Sequence, residues 1–170
     1  MPATYTLIET VTVTSGTPST ILFSNIPQTY DDLLIKMSMR TNESGVYYSD
    51  TDITFNGESS RRWNGFYSVN NTASGSGTTA FNIIGVSTAG NTTSNVFSNV
   101  EIYIPNYKSS DNKIIGSTGA QENDSVSNNG ISCMSNKIVN GTAITSIELD
   151  PFNGTLVIHS SASLYGISKS

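Results

Sequence analysis

DLLIKMSMRT, Asp32 to Thr41, decides the fold class. Leu33, Ile35, Met37 and Met39 fall on alternate positions, with Leu34, Lys36, Ser38 and Arg40 between them. That is a period of two, one apolar face and one largely polar face, the pattern of a half-buried strand. A helix would need apolar residues three and four apart, and this stretch does not supply them. Tyr5 to Val13 repeats the pattern: Tyr5, Leu7, Val11 and Val13 take the odd positions, threonines take most of the even ones, and Glu9 interrupts near a rim. In the third clear case, Val96, Val100, Ile102 and Ile104 share a face opposite Asn95, Asn99, Glu101 and Tyr103. Pro105 cannot donate to a ladder, so pairing is expected to stop there, at a corner carrying Tyr107.

Weaker strand signals cover Thr20 to Ser24, Asp52 to Asn56, Phe66 to Val69, Ala80 to Val86, Lys113 to Ser117, Ile131 to Ser135, Ala143 to Leu149, Thr155 to Ser160 and Ala162 to Ile167. Turn signals separate them, among them Asn129-Gly130, Asn140-Gly141 and Asp150-Pro151-Phe152-Asn153-Gly154. Asn-Gly accepts the positive φ of hairpin turns. The expected fold is all-β, an antiparallel two-sheet β-sandwich of the jelly-roll kind, in a single domain spanning residues 1–170. One helical turn is expected near Ser59 to Asn64. NNTASGSGTT (Asn70 to Thr79) and STAGNTTSN (Ser87 to Asn95) read as surface loops, being small, polar and without apolar anchors.

Composition narrows the function. The 170 residues suit one domain of ordinary size, able to bury roughly 70% of its unfolded surface. Charged residues make up 12%, against about 25% in typical soluble domains. Ser, Thr and Asn fill about two-fifths of the chain and give it a neutral, hydroxyl- and amide-rich surface. The net charge is −5, and Arg61-Arg62 is the one adjacent pair among eight scattered Lys and Arg residues. A nucleic-acid partner would call for a basic stripe, and a membrane-surface partner for a polybasic segment, so neither is expected. The opening MPATYTLIETVTVTSG lacks a positive n-region and a continuous apolar run, so it does not read as a secretory signal.

The chemistry-bearing residues do not assemble into a reaction centre on paper. His159, the single histidine, lies in LVIHSS and reads as a sheet residue; no G-x-S-x-G element surrounds a serine. Cys133, the single cysteine, lies in GISCMSN and reads as a small buried side chain. One Cys and one His cannot build a tetrahedral zinc site, and no metal or cofactor is expected. Asp31-Asp32, Asp50 with Asp52, and Glu122 with Asp124 are candidate carboxylate pairs for glycoside hydrolysis, each better read as solvated loop acids. Asp50-Thr51-Asp52 lacks the glycine and distal glutamate of a calcium loop. The one candidate interaction surface is Arg61, Arg62, Trp63, Phe66 and Tyr67, two bases beside three rings, a composition over-represented at interface hot spots. The competing reading has Trp63 and Phe66 capping the core, with the arginines solvated.

Two blocks carry a resemblance. One is YTLIETVTVTSG with ILFSNIPQTYDDLLIKMSMRT, Tyr5 to Thr41; the other is AITSIELDPFNGT with SSASLYGISKS, Ala143 to Ser170. ITFNGESS, Ile53 to Ser60, and VEIYIPNY, Val100 to Tyr107, lie between them. The combination resembles small virion proteins of marine and freshwater tailed phages, cyanophages included, and is looser from Arg61 to Ser98. The resemblance implies a non-enzymatic phage structural protein at the virion surface, made in the host cytoplasm. Its first form is a capsid decoration or cement protein, a homo-oligomer with the trimer favoured, touching the major capsid protein. The alternative is a tail-fibre or receptor-binding module that recognises host surface glycan.

Overall fold

A computed structural model describes residues 4–58, 61–69, 72–78, 83–121, 130–138 and 141–169. Among them are twelve strands: β1 (Thr4–Thr12), β2 (Ile21–Phe23), β3 (Asp32–Ser38), β4 (Tyr48–Phe55), β5 (Arg61–Val69), β6 (Thr72–Thr78), β7 (Ile83–Thr88), β8 (Asn99–Ile104), β9 (Lys113–Gln121), β10 (Gly130–Ile138), β11 (Ile147–Pro151) and β12 (Ser161–Ser168). They form two antiparallel sheets, an eight-stranded one in the order β1-β12-β3-β8-β9-β10-β5-β6 and a four-stranded one in the order β2-β11-β4-β7. The fold is an all-β sandwich. Its pairing is nested: β1 with β12 and β3 with β8 in the large sheet, β2 with β11 and β4 with β7 in the small one. The β5–β6 and β9–β10 hairpins are insertions into that nest, and together they extend the large sheet on the far side of β8.

β3 lies inside the large sheet, Ile35 in register with Leu164 on one side and Ile102 on the other. Leu33, Ile35, Met37 and Met39 are buried on the core face, as their alternation requires. They pack with Phe23, Phe55, Ile104 and Leu149 in the main apolar cluster between the sheets. The second face is less polar in effect than in spelling. Leu34 stands in register between Tyr165 and Tyr103 and is only 6% exposed. Gly166 leaves room for the Tyr30 ring, which a Cβ there would meet at 2.3 Å.

Several expectations are corrected. In β1 the register shifts between Leu7 and Glu9, a β-bulge that breaks the period-two rule. Tyr5 and Leu7 are consequently 61% and 54% exposed, while Ile8 and Val11 pack on the core. Residues 61–64 belong to β5 and form no helical turn; residues 59 and 60 lie outside the described residues. TASGSGT, where a loop is expected, is strand β6, paired with β5 along its whole length. Thr155 to Ser160 holds a single bridge at Leu156 and then a turn. His159 sits in that turn, exposed, at φ 77°, with its backbone N–H on the Val13 carbonyl at 2.8 Å.

The segment after β8 is an architectural corner. Asn106 takes φ 50°, and the Tyr107 ring is fully buried with its hydroxyl donating to the Pro27 carbonyl. Lys113 is 2% exposed and donates to the carbonyls of Ser109, Asp111 and Thr142 at 2.6, 2.9 and 2.6 Å. Burial lowers its pKa. The 89–96 loop is likewise organised around a cation. The Arg40 guanidinium, 9% exposed, donates to the carbonyls of Thr93, Thr92 and Val96 at 2.9, 3.1 and 3.2 Å and to the Thr92 hydroxyl.

Candidate functional site

Strand alternation divides the Arg61 to Tyr67 cluster between two faces. Arg61 opens β5 opposite Ile138. Arg62 and Phe66 are exposed on the outer face of the large sheet, Phe66 at 76%. Trp63, 6% exposed, is buried on the inner face with Ile83 and Met134, and Tyr67 packs against them. Arg62, Trp63, Phe66 and Tyr67 therefore contribute to two separate surfaces.

The outer surface is apolar. Phe66 stands in register with Cys133 on β10 and Gly75 on β6, its ring 3.5 Å from where a Cβ at Gly75 would lie. Ile131 is 64% exposed on the same face, and Cys133 is exposed too, so its expected burial is corrected. The reason is register: in β10, Gly130, Ser132, Met134, Asn136 and Ile138 take the buried positions, and Cys133 falls between them. Arg62 and Lys137 pair at one end of this face.

The inner surface is a cavity of about 240 Å³ where the hairpin extension faces β4 and β7. Tyr48, Trp63 and Tyr67 supply three rings, and Asp50 supplies a carboxylate. Burial pushes the Asp50 carboxyl up, and the nearby Glu43 charge adds to the shift. Burial also raises the Tyr48 hydroxyl, helped by the Asp50 charge. The Trp63 indole N–H is buried and has no hydrogen-bond partner among the described residues. Sequence reasoning named Trp63 and Tyr67 together but Asp50 only beside Asp52, and it did not name Tyr48, because β4 and β5 meet here only through the packing of one sheet on the other.

The other candidate acids are structural. Asp31 accepts from the Lys169 backbone N–H at 2.7 Å and pairs with Lys108 at 3.2 Å; both hold its carboxyl below its ordinary value. Asp32, 1% exposed, takes Lys169 Nζ at 2.5 Å, the Asn106 N–H at 2.9 Å and the Tyr103 hydroxyl. Burial pushes this carboxyl up, but the Lys169, Tyr103 and Asn106 hydrogen bonds outweigh that and leave it below its ordinary value. Asp52 turns back onto the Ile53 N–H at 2.8 Å. Glu122 and Asp124 lie outside the described residues. No group of three or more potential metal ligands occurs among the described residues.

The Asp32 arrangement predicts acid sensitivity. A carboxylate whose folded pKa is depressed stabilises fully above its unfolded value of about 3.9, and that contribution is lost as pH falls through the lower folded value. Asp32→Asn is expected to cost roughly 1.5–3 kcal/mol at pH 7, the range for hydrogen bonds to a charged group. It should also flatten the loss of stability below about pH 4. Urea unfolding of both proteins at pH 7 and pH 3 measures this, and equal losses at both pH values would refute the assignment.

No protein-family model matches the chain, and neither a curated protein nor a solved structure matches it.

Proposed function

We propose that this chain is a non-enzymatic structural protein of a phage particle, a decoration or cement protein bound to the outer capsid shell as a homo-oligomer, three copies favoured. The observation that carries the reading is the nested pairing of β1·β12, β2·β11, β3·β8 and β4·β7, dealt alternately to the two sheets. That order supports reading the sandwich as a jelly roll, an architecture used by viral capsid and lectin domains. The inserted hairpins add the contact face, with Phe66 and Ile131 exposed beside Cys133 and few charges around them. Edge strand β6 (TASGSGT) borders this face and contains neither a charge nor a proline, the usual guards against pairing with another chain. β1, at the other edge of the same sheet, carries a bulge and Glu9.

Cys133 makes the reading testable. In the free protein its exposed thiol is expected to react completely with a maleimide under native conditions. On particles carrying the protein, labelling should slow at least tenfold if the outer face is covered. Equal rates on and off the particle would remove this face from the proposal. Copy number decides location: hundreds per particle fit shell decoration, whereas a few dozen at the tail fit the second reading, a receptor-binding module for host glycan. What favours that reading is a pair of exposed rings on one outer face, Phe66 and Tyr103, with Gly116, Thr118 and Ser135 on the strands between them. Sugar rings stack on such a platform.

A further inference from the structure

We propose that the inner cavity bounded by Tyr48, Asp50, Trp63 and Tyr67 binds a small alkylated ammonium cation of the choline or tetramethylammonium class. The cavity lies on the opposite face of the large sheet from Phe66, so the inference goes beyond the virion reading and does not depend on it.

Three rings and a carboxylate converge on about 240 Å³, less than the roughly 300–1,000 Å³ of drug-sized sites and suited to one small group. Ring faces attract a cation through their quadrupoles, tryptophan most strongly, and the attraction grows when water is excluded. Trp63 is the most buried of the three rings. The carboxylate selects the charge. Among the described residues, no hydrogen bond or ion pair engages the Asp50 carboxylate, and the negative charge of Glu43 stands near it. An entering cation relieves both the like-charge repulsion and the cost of holding a carboxylate away from water. A neutral sugar ring could stack on the same aromatics but would relieve neither.

The walls select the kind of cation. Ile83, Val86 and Met134 complete the lining, so a little over half of the surface is apolar. A bare ammonium or a metal ion would surrender a hydration shell that one carboxylate cannot replace. An alkylated ammonium spreads its charge beneath methyl groups, which make good contacts with rings and aliphatic side chains.

Trp63 is the single tryptophan of the chain, so its emission reports on this cavity directly. The full chain is titrated with tetramethylammonium and choline at constant ionic strength. Sodium, methyl glucoside and phosphatidylcholine vesicles form the comparison arms. A saturable emission change with the two ammonium probes, and none with sodium or the glucoside, is the expected result. Asp50→Asn should weaken it about tenfold or more, since loss of the counter-charge is worth at least 1.4 kcal/mol. Removing an unpaired carboxylate is not expected to lower Tm, and Tyr67→Leu, at the half-buried rim, provides a second variant that should also weaken binding. A response to vesicles as well would identify a lipid headgroup as the source of the cation; a response to the free probes alone would identify a soluble one. No saturable change with either free probe, a response to methyl glucoside instead, or unchanged affinity in both variants overturns the proposal.

Discussion

Ile35→Ala is expected to lower the unfolding free energy by roughly 2–5 kcal/mol, a large share of the 5–15 kcal/mol that holds a typical domain together. Ile35 is 0% exposed and lies between Leu164 of β12 and Ile102 of β8, themselves both fully buried. The three side chains come from three adjacent strands that cannot move together independently of the sheet, so the truncated site has little freedom to collapse. The next residue supplies the control. Lys36 faces solvent and pairs with Glu101 at 3.2 Å, with side-chain exposures of 58% and 51%. A pair so exposed is screened by water, and Lys36→Ala should cost about 0.5 kcal/mol or less. Urea titrations of both variants check the contrast, with the slope expected to stay constant. Comparable losses at the two positions would mean that the register of β3 is wrong.

That contrast also marks how much the sequence could reveal. β3 and β8 were legible because their two faces meet different surroundings, and the difference is written in residue type at every second position. β8 shows it in full: Asn99, Glu101 and Tyr103 are exposed, whereas Val100, Ile102 and Ile104 are buried. β6 was not legible. Thr72 to Thr78 contains no large apolar residue to betray a face, and it becomes a strand because β5 offers it a full ladder and Phe66 lies over Gly75. β1 was legible as a strand but not in its facing, because one bulge exchanges the faces without leaving a signature in composition. The candidate site divides in the same way. Arg62, Trp63, Phe66 and Tyr67 stood out as a cluster, yet the strand that carries them sends Trp63 inward and Arg62 and Phe66 outward. Tyr48 and Asp50 belong to a strand of the other sheet, and only tertiary packing brings them to Trp63.

The loops were the least legible part, and the physical reason concerns oxygen atoms. Where an irregular segment turns across the end of a sandwich, its carbonyls lose their ladder partners, and those away from water need another donor. A side chain with several donors on a long stem can serve several carbonyls at once. In this charge-poor chain, two cations do so among the described residues. Lys113 holds the corner after β8 to Thr142, and Arg40 holds the 89–96 loop. Neither position is unusual in the sequence, because what matters is the convergence of backbone oxygens around it.

Arg40→Ala should therefore act mainly on that loop. The guanidinium donates to three carbonyls between 2.9 and 3.2 Å and to the Thr92 hydroxyl, and burial lowers its pKa. Each bond from a charged donor contributes about 1.5–3 kcal/mol. These bonds share one side chain, and carbonyls near a surface recover water, so the sum is not additive; the expected loss is about 2–4 kcal/mol. Arg40→Lys should rescue little of it. An ammonium offers three donors from a point, whereas the guanidinium spreads its donors across a planar fork that reaches Thr93 and Val96 from one nitrogen and the Thr92 carbonyl from another. Hydrogen exchange separates this outcome from a general loss of stability. In Arg40→Ala the amides of Ala89, Asn91 and Thr92, which bond Tyr47, Val46 and Ala89, should exchange much faster. Amides of β3 and β8 should follow only the global change. If the loop amides keep their protection while the whole domain weakens uniformly, Arg40 supports the sheet and not the loop. If Arg40→Lys behaves like the parent protein, the fork geometry is not what holds the loop.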